Sequence, residues 1–297
     1  MDTRAEVREF LATRRARLTP QQAGLPTYGE TRRVKGLRRE EVALLAGVSV
    51  DYYVRLERGN IAGASEAVLD AVARALQLDD AERTHLFDLA RAANAGPRPR
   101  RRPAPQKVRP GIQRVVDAVT DAPAWVRNGR MDLLAANPLA RALYSELFDD
   151  PVRPVNTARF TYLNPRARTF FTDWERAADD VVAILRGEAG RNPYDPGLTE
   201  LVGELSTRSQ EFATRWAAHN VLYHRTGVKR LHHPVVGDLE LDFEALEFPG
   251  EPGLRMFVYT AAPNTPSADA LKLLASWAAT QAEEEAQPVA APTRHET

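Results

Sequence analysis

From Gly96 to Gly111 the chain reads GPRPRRRPAPQKVRPG. Proline donates no backbone hydrogen bond and fixes φ, so this run neither continues a helix nor enters the middle of a sheet. An extended, solvated connection is predicted. A chain interrupted in this way must solve two packing problems, one on each side. Its 297 residues allow about two domains of ordinary size. The predicted organisation is a first domain over 1–95, a basic linker over 96–110, a second domain over 111–280 and a disordered tail over 281–297, where Glu, Ala and Pro dominate. With 43% hydrophobic and 27% charged residues, the chain has enough apolar material for packed cores.

The formal net charge of zero conceals an asymmetry. Residues 1–110 carry 21 Lys and Arg against 14 Asp and Glu, and the remainder 19 against 26. A basic half joined to an acidic half points to a polyanionic partner for the first alone. The linker arginines, from Arg98 to Arg109, read equally as a soluble spacer or as an arm laid along phosphates. There is no cysteine, which excludes disulfides, thiol catalysis and cysteine-rich zinc sites. No secretory pattern and no run near the roughly 18 apolar residues of a membrane span is found. A soluble cytoplasmic protein with no membrane partner is expected.

Before the linker the periodicity is helical. Val7, Leu11 and Leu18 form one stripe; Val42, Leu45 and Ala46 a second; Tyr53 and Leu56 a third; Val68, Leu69, Val72, Ala75 and Leu76 a fourth; Leu86, Leu89, Ala90 and Ala93 a fifth. Asp79 with Glu82 three residues on forms an aspartate capping box for the fifth. An all-α domain of five helices follows. After the linker, Ala124–Arg127 and Met131–Ala135 flank Asn128-Gly129, a dipeptide suited to a tight hairpin turn. Helices are predicted over Leu139–Leu147, along a long stripe through Phe170, Trp174, Ala177, Val181 and Leu185, and around Leu201 and Phe212. Strands are predicted over Val228–Val236, turning at Gly237-Asp238, over Leu239–Phe243, and over Leu254–Thr260, before a last helix through Leu271, Leu274 and Trp277. The second domain is therefore α+β with an antiparallel sheet.

The segment LRREEVALLAGVSVDYYVRLERGN, Leu37–Asn60, has the parts of a helix-turn-helix: an anchoring helix, a turn and a second helix presented to the major groove. Gly47 stands where the turn needs a residue free of Cβ strain, and Ser49 is placed to cap the next helix. Val50, Asp51, Tyr52 and Arg55 are left on the outer face near its start, while Tyr53 is assigned to the core.

These residues closely resemble the Cro/repressor-type, xenobiotic-response-element family of helix-turn-helix proteins. With LTPQQAGLP before it, the stretch resembles one branch, the MmyB-like transcription regulators. Many such domains open the anchoring helix with a Ser or Thr cap followed by Gln; here Arg38 and Arg39 stand there. The partner is a double-stranded DNA operator. Arg32, Arg33, Arg39 and Arg58 are assigned to phosphates, Arg55 to guanine O6 and N7, Asp51 to cytosine N4, and Tyr52 to a thymine methyl.

In the second half, APAWVRNGRMDLLAANPLARALY resembles the opening of a PAS-type sensor domain. FFTDWERAADDVVAILR, FATRWAAHNV and HHPVVGDLELDFEAL extend the MmyB-like resemblance. It implies a PAS-like domain holding a small apolar ligand, a fatty acid or similar lipid. Large aromatics at helical spacing are ordinarily core. Under the resemblance, Trp125, Tyr144, Phe160, Phe170, Trp174, Phe212 and Trp216 become candidate pocket walls. Arg186 and Arg215, each beside apolar helix positions, read ordinarily as exposed helix-surface arginines and, under the resemblance, as the candidate partners for a carboxylate headgroup. No metal and no other cofactor is expected: His232 and His233 are strand neighbours facing opposite ways, and the spacing of His219 and His224 suits a helix face poorly. Neither a glycine-rich phosphate loop nor a GxSxG elbow is present, so an enzyme is not expected. The leading expectation is a ligand-responsive, homodimeric transcription regulator. The alternatives are a regulator whose second half is a ligand-free protein-interaction module, and an esterase-like enzyme.

Overall fold

The computed structural model describes residues 2–26, 34, 36–95, 106–221 and 226–286. Five helices precede the linker: α1 (Thr3–Arg17), α2 (Arg39–Ala46), α3 (Val50–Glu57), α4 (Glu66–Ala75) and α5 (Asp80–Ala95). Their starts are set by side chains that satisfy otherwise orphaned backbone N–H groups. Asp2 caps α1 by accepting from the Arg4 amide at 3.0 Å, and Ser65 caps α4. The predicted capping box opens α5: Asp79 accepts from the Glu82 amide at 2.8 Å, and Glu82 from the Asp79 amide at 3.1 Å. The predicted stripes converge in one core, except for Leu45, which is exposed on α2; Val7, Phe10 and Leu11 of α1 pack with Val42, Tyr53, Leu56, Leu69, Val72, Leu86 and Leu89.

Beyond the linker come α6 (Pro110–Ala118), β1 (Ala124–Arg127), β2 (Leu133–Ala136), α7 (Pro138–Leu143), α8 (Ser145–Phe148), α9 (Thr157–Leu163), α10 (Ala167–Phe170), α11 (Trp174–Arg191), α12 (Pro196–Arg208) and α13 (Gln210–Trp216). Then follow β3 (Thr226–His233), β4 (Gly237–Glu247), β5 (Arg255–Thr260) and α14 (Pro266–Ala286). The chain packs as two compact units. The first takes Met1–Pro105 with Thr161–Leu163 and Glu175–His224; the second takes Gln106–Phe160, Asn164–Trp174 and Arg225–Thr297. The first unit is thus more than the five N-terminal helices, since it also contains α12, α13 and nearly all of α11.

The second unit is built on a five-stranded antiparallel sheet in the order β2-β1-β5-β4-β3. Along β4, Leu239, Leu241 and Phe243 are buried while Asp238, Glu240, Asp242 and Glu244 are exposed, the period of two that one covered face imposes. Helix α6 lies against β1 and β2, and its Ile112 and Val116 share a core with Val126, Ala135 and Met256. Asn137 ties this region together. Its side chain accepts from the amides of Ala124 and Ala140 and donates to the carbonyls of Val119 and Ala122, at 2.7–3.1 Å.

Several local expectations are corrected. Asn128-Gly129 is not a two-residue hairpin turn. The loop runs on to Asp132, Met131 takes the positive φ of 67°, and Asn128 Oδ1 accepts from the amides of Arg130 and Asp132. The β3–β4 turn is Pro234–Val236 rather than Gly237-Asp238, with Gly237 at φ 75°, the left-handed residue that closes a three-residue hairpin loop. The long helical stripe breaks at Phe171–Asp173, because Phe171 bridges to Leu231 and the Thr172 amide donates to the Arg230 carbonyl. Helix α6 and helix α9 were not anticipated, and α14 extends to Ala286, past Gln281 where the sequence reads as tail. No helix among the described residues is long and apolar enough to cross a membrane.

Candidate functional site

The turn between α2 and α3 has the chemistry that the sequence predicts. Gly47 ends α2 at φ 65° with open space where a Cβ would stand, so its backbone angle alone demands glycine. The Val48 amide donates to the Ala43 carbonyl at 3.0 Å, and Ser49 Oγ accepts from the Tyr52 amide at 3.2 Å. At the other end of α2, Glu41 accepts from the Arg38 amide at 2.6 Å, which supplies the start that Arg38 and Arg39 replace in the usual pattern.

On α3, Asp51 and Arg55 are exposed, as is Arg58 at its C-cap, and Val50 is 43% exposed despite its apolar side chain. Tyr52 departs from the expected exposure: it is half-buried against the core, beside the fully buried Tyr53. Arg39 is half-exposed, and its Nε lies 3.0 Å from Glu57 Oε2. Arg32 and Arg33 lie outside the described residues. Three of the candidate positions, Val50, Asp51 and Arg55, therefore share the exposed side of α3, and Arg58 follows at its C-cap.

Two features of this site were not read from sequence. Glu57, only 2% exposed, takes Arg15 of α1 (Nη2, 2.7 Å) as well as Arg39 of α2, so one carboxylate joins three helices. Gly59 follows α3 at φ 92°, and a Cβ there would stand 2.4 Å from the Arg4 carbonyl oxygen. The end of α3 is thereby seated on the start of α1.

The candidate ligand residues separate into two sets. Trp125, Tyr144, Phe160, Phe170 and Trp174 belong to the second unit; Phe212, Trp216, Arg186 and Arg215 belong to the first. In the second unit the Trp125 ring lies 5.1 Å from Tyr144 and 4.3 Å from Tyr259, Tyr144 lies 5.2 Å from Phe170, and Phe170 lies 5.8 Å from Phe160. The hydroxyls of Tyr144 and Tyr259 meet at 3.2 Å, and burial pushes the Tyr144 hydroxyl up to about 12. Arg127, 6% exposed, stands in this cluster with its guanidinium 4.4 Å above the Phe257 ring. Its position beside Val126 in an apolar strand is the signal that the sequence offers for it. Trp174 lies under the Arg168 guanidinium at 3.9 Å.

In the first unit Phe212 stacks on Trp216 at 5.6 Å and meets Tyr162 edge-on at 5.0 Å. Arg186 and Arg215, the candidate headgroup partners, already face carboxylates. Arg186 is fully buried against Glu6, and Arg215 pairs with Asp179 at 2.9 Å and with Glu175. The alternation of β3 also sends its histidines apart: His232 is exposed, 2.6 Å from Asp238, whereas His233 is buried and donates to the Ala142 carbonyl at 3.0 Å. His224 lies outside the described residues.

Comparison with known families divides the chain by sequence, at the linker. Residues 6–86 match the model of a helix-turn-helix domain, and residues 108–274 match that of the MmyB-like transcription regulator ligand binding domain. None of the curated proteins matches the chain.

Proposed function

The chain belongs to the MmyB-like transcription regulators, and on that premise we propose that it reads an operator with α3 and answers to a small apolar ligand carrying an acidic headgroup. The observation behind the first half is the exposed edge of α3, where Asp51 and Arg55 project beyond a turn rigidified by Gly47 and Ser49. Arg55 takes guanine O6 and N7, and Asp51 accepts from cytosine N4. Arg58, Arg32, Arg33 and the free edge of Arg39 lie along phosphates. Tyr52, being half-buried, offers only its outer edge to a thymine methyl. Arg55→Ala should cost about 1–3 kcal/mol on the operator and flatten the preference at one base pair. Equal losses across a panel of single-base operator variants would make Arg55 a phosphate contact instead.

An eight-residue helix reaches few base pairs, so the reading includes a homodimer on half-sites about one helical turn apart or a multiple of it. Sedimentation over a range of concentrations, with and without duplex, tests this.

The ligand half rests on the aromatic cluster of the second unit and the cation inside it. Arg127 with the paired hydroxyls of Tyr144 and Tyr259 supplies the polar end that a carboxylate requires in a dry surrounding, and Trp125, Phe160 and Phe170 supply apolar wall. A delipidated sample should gain several degrees in Tm with palmitate, and Arg127→Met should lose most of that gain while keeping the response to a neutral alcohol of the same length. The rings of this cluster contact one another, which favours the ligand-free interaction module as the second reading. An unchanged Tm with every chain length, and dimerisation intact, would select it.

A further inference from the structure

Arg186, on α11, is the largest fully buried side chain among the described residues, at 0% exposure. Its Nη1 meets Glu6 of α1 and lies 2.9 Å from His219 Nδ1, its Nη2 donates to the Trp216 carbonyl, and its guanidinium covers the Trp216 ring at 3.8 Å. A guanidinium only donates. His219 Nδ1 is therefore the acceptor, and the ring proton sits on Nε2, which donates to Glu9 Oε2 at 2.9 Å. Arg14 completes the set by donating to the His219 carbonyl while its Nε faces Glu82 of α5 at 3.0 Å. His219 itself is held at φ 54°, a conformation that side chains other than glycine adopt only when held.

The participants are spaced so that one helix carries the whole arrangement. Glu6, Glu9 and Arg14 lie three and five residues apart along one side of α1 and grip residues 186–219. Arg15, the next residue, reaches the other way to Glu57 of α3, and Arg4 receives the end of α3 at Gly59. Helix α1 is therefore shared between α3 and a segment that lies wholly inside the ligand-binding family match.

Buried charges resist gradual adjustment. A small shift of α11 against α1 would leave Glu6 or Arg186 without its partner in a dry surrounding, so the contact is kept whole or lost whole. We propose that the Arg186–Glu6–His219–Glu9 cluster is a coupling lock, by which the conformation of residues 175–221 sets the position of α1 and so the presentation of α3 to DNA. The ligand arm of this idea rests on the function proposed above; the DNA arm does not need it.

Coupling between two sites is reciprocal, so DNA alone can test it on the full chain. Hydrogen exchange is followed by mass spectrometry with and without a mixed-sequence duplex at low salt. In the native chain the duplex should slow exchange both in α3 and, by about fivefold or more, in α11–α13, which the groove does not contact. Arg186→Met keeps a long apolar side chain over Trp216 and removes every donor; it should leave the slowing in α3 and abolish that in α11–α13. Should that variant fail to fold, Glu9→Gln alters the half-exposed end of the lock and should at least halve the effect in α13. Slowing in α11–α13 that survives both substitutions, or slowing confined to α3 in the native chain, overturns the lock. A native chain with no slowing in α3 overturns DNA reading itself, a result distinguishable from the other two.

Discussion

A Glu57→Ala chain should lose about 3–5 kcal/mol of stability in its N-terminal helices, and all sequence-preferring DNA binding with it. The carboxylate is 2% exposed and takes two cations from two other helices, Arg15 at 2.7 Å and Arg39 at 3.0 Å. Removing it leaves the mostly buried Arg15 guanidinium without its carboxylate, and that unpaired cation is the source of the loss. Arg15 Nη1 keeps its bond to the Leu37 carbonyl at 2.9 Å, so the charge cannot simply swing out. Replacing Arg15 and Glu57 together by Met should recover much of the stability, because no charge is then stranded, though α2 would lose its tether to α3. Urea unfolding of the three variants decides the matter. A loss below about 1 kcal/mol for Glu57→Ala would show that the ion pairs are ornamental to the fold.

The second large effect is acid lability centred on His85. Burial pulls this imidazole down to about 3, its ring packs edge-on against Phe10 at 5.0 Å, and a Cβ at Gly190 would stand 2.5 Å from Nδ1. The native state thus holds His85 neutral, while the unfolded chain protonates it below its ordinary value of about 6.5. Between these values the unfolded state binds more protons, so stability is fully present above pH 6.5 and falls as pH drops toward 3. At pH 5 the loss from this one group is about 2 kcal/mol. Glu6 acts in the same direction but later. Burial opposes its ionisation, yet the Arg186 guanidinium against it holds it down at about 2, so its stabilisation erodes only as pH falls from about 4.5 to 2. His85→Leu isolates the first effect: the gap in unfolding free energy between native and variant chains should narrow by about 2 kcal/mol from pH 7 to pH 5. A gap that stays constant would mean that His85 is not the group responsible.

What the sequence made legible follows from the range of the forces involved. Helix starts, the Gly47 turn and the alternation of β4 depend on neighbours within four residues, and these stood in the text of the chain. Phe171 shows where that ends: the helical stripe through Phe170 and Trp174 is continuous in sequence, and only pairing with Leu231, sixty residues on, breaks it. Asn128-Gly129 misled for a related reason, since the Asn128 side chain bonds ahead to Arg130 and Asp132 and widens the loop. The outer face of α3 was readable at Val50, Asp51 and Arg55, because a helix places its own outer residues, but not at Tyr52, which leans on the core. Glu57 and Arg186 were not, because a charge is recognised as structural only once its distant partner is known. The aromatics carried the least information of all: Phe212 and Phe170 look alike in sequence and belong to different units.

The first unit draws part of its interior from residues 175–221, and this bears on how such proteins can be recombined. A chimaera that grafts a foreign reading head onto residues 108–297 would bring no counterparts to Glu6, Glu9 and Arg14 and would leave the buried Arg186 without its carboxylate. Exchange of one half would require matching substitutions along the first helix, so descendants of such a chain would diverge as a linked pair rather than as interchangeable parts.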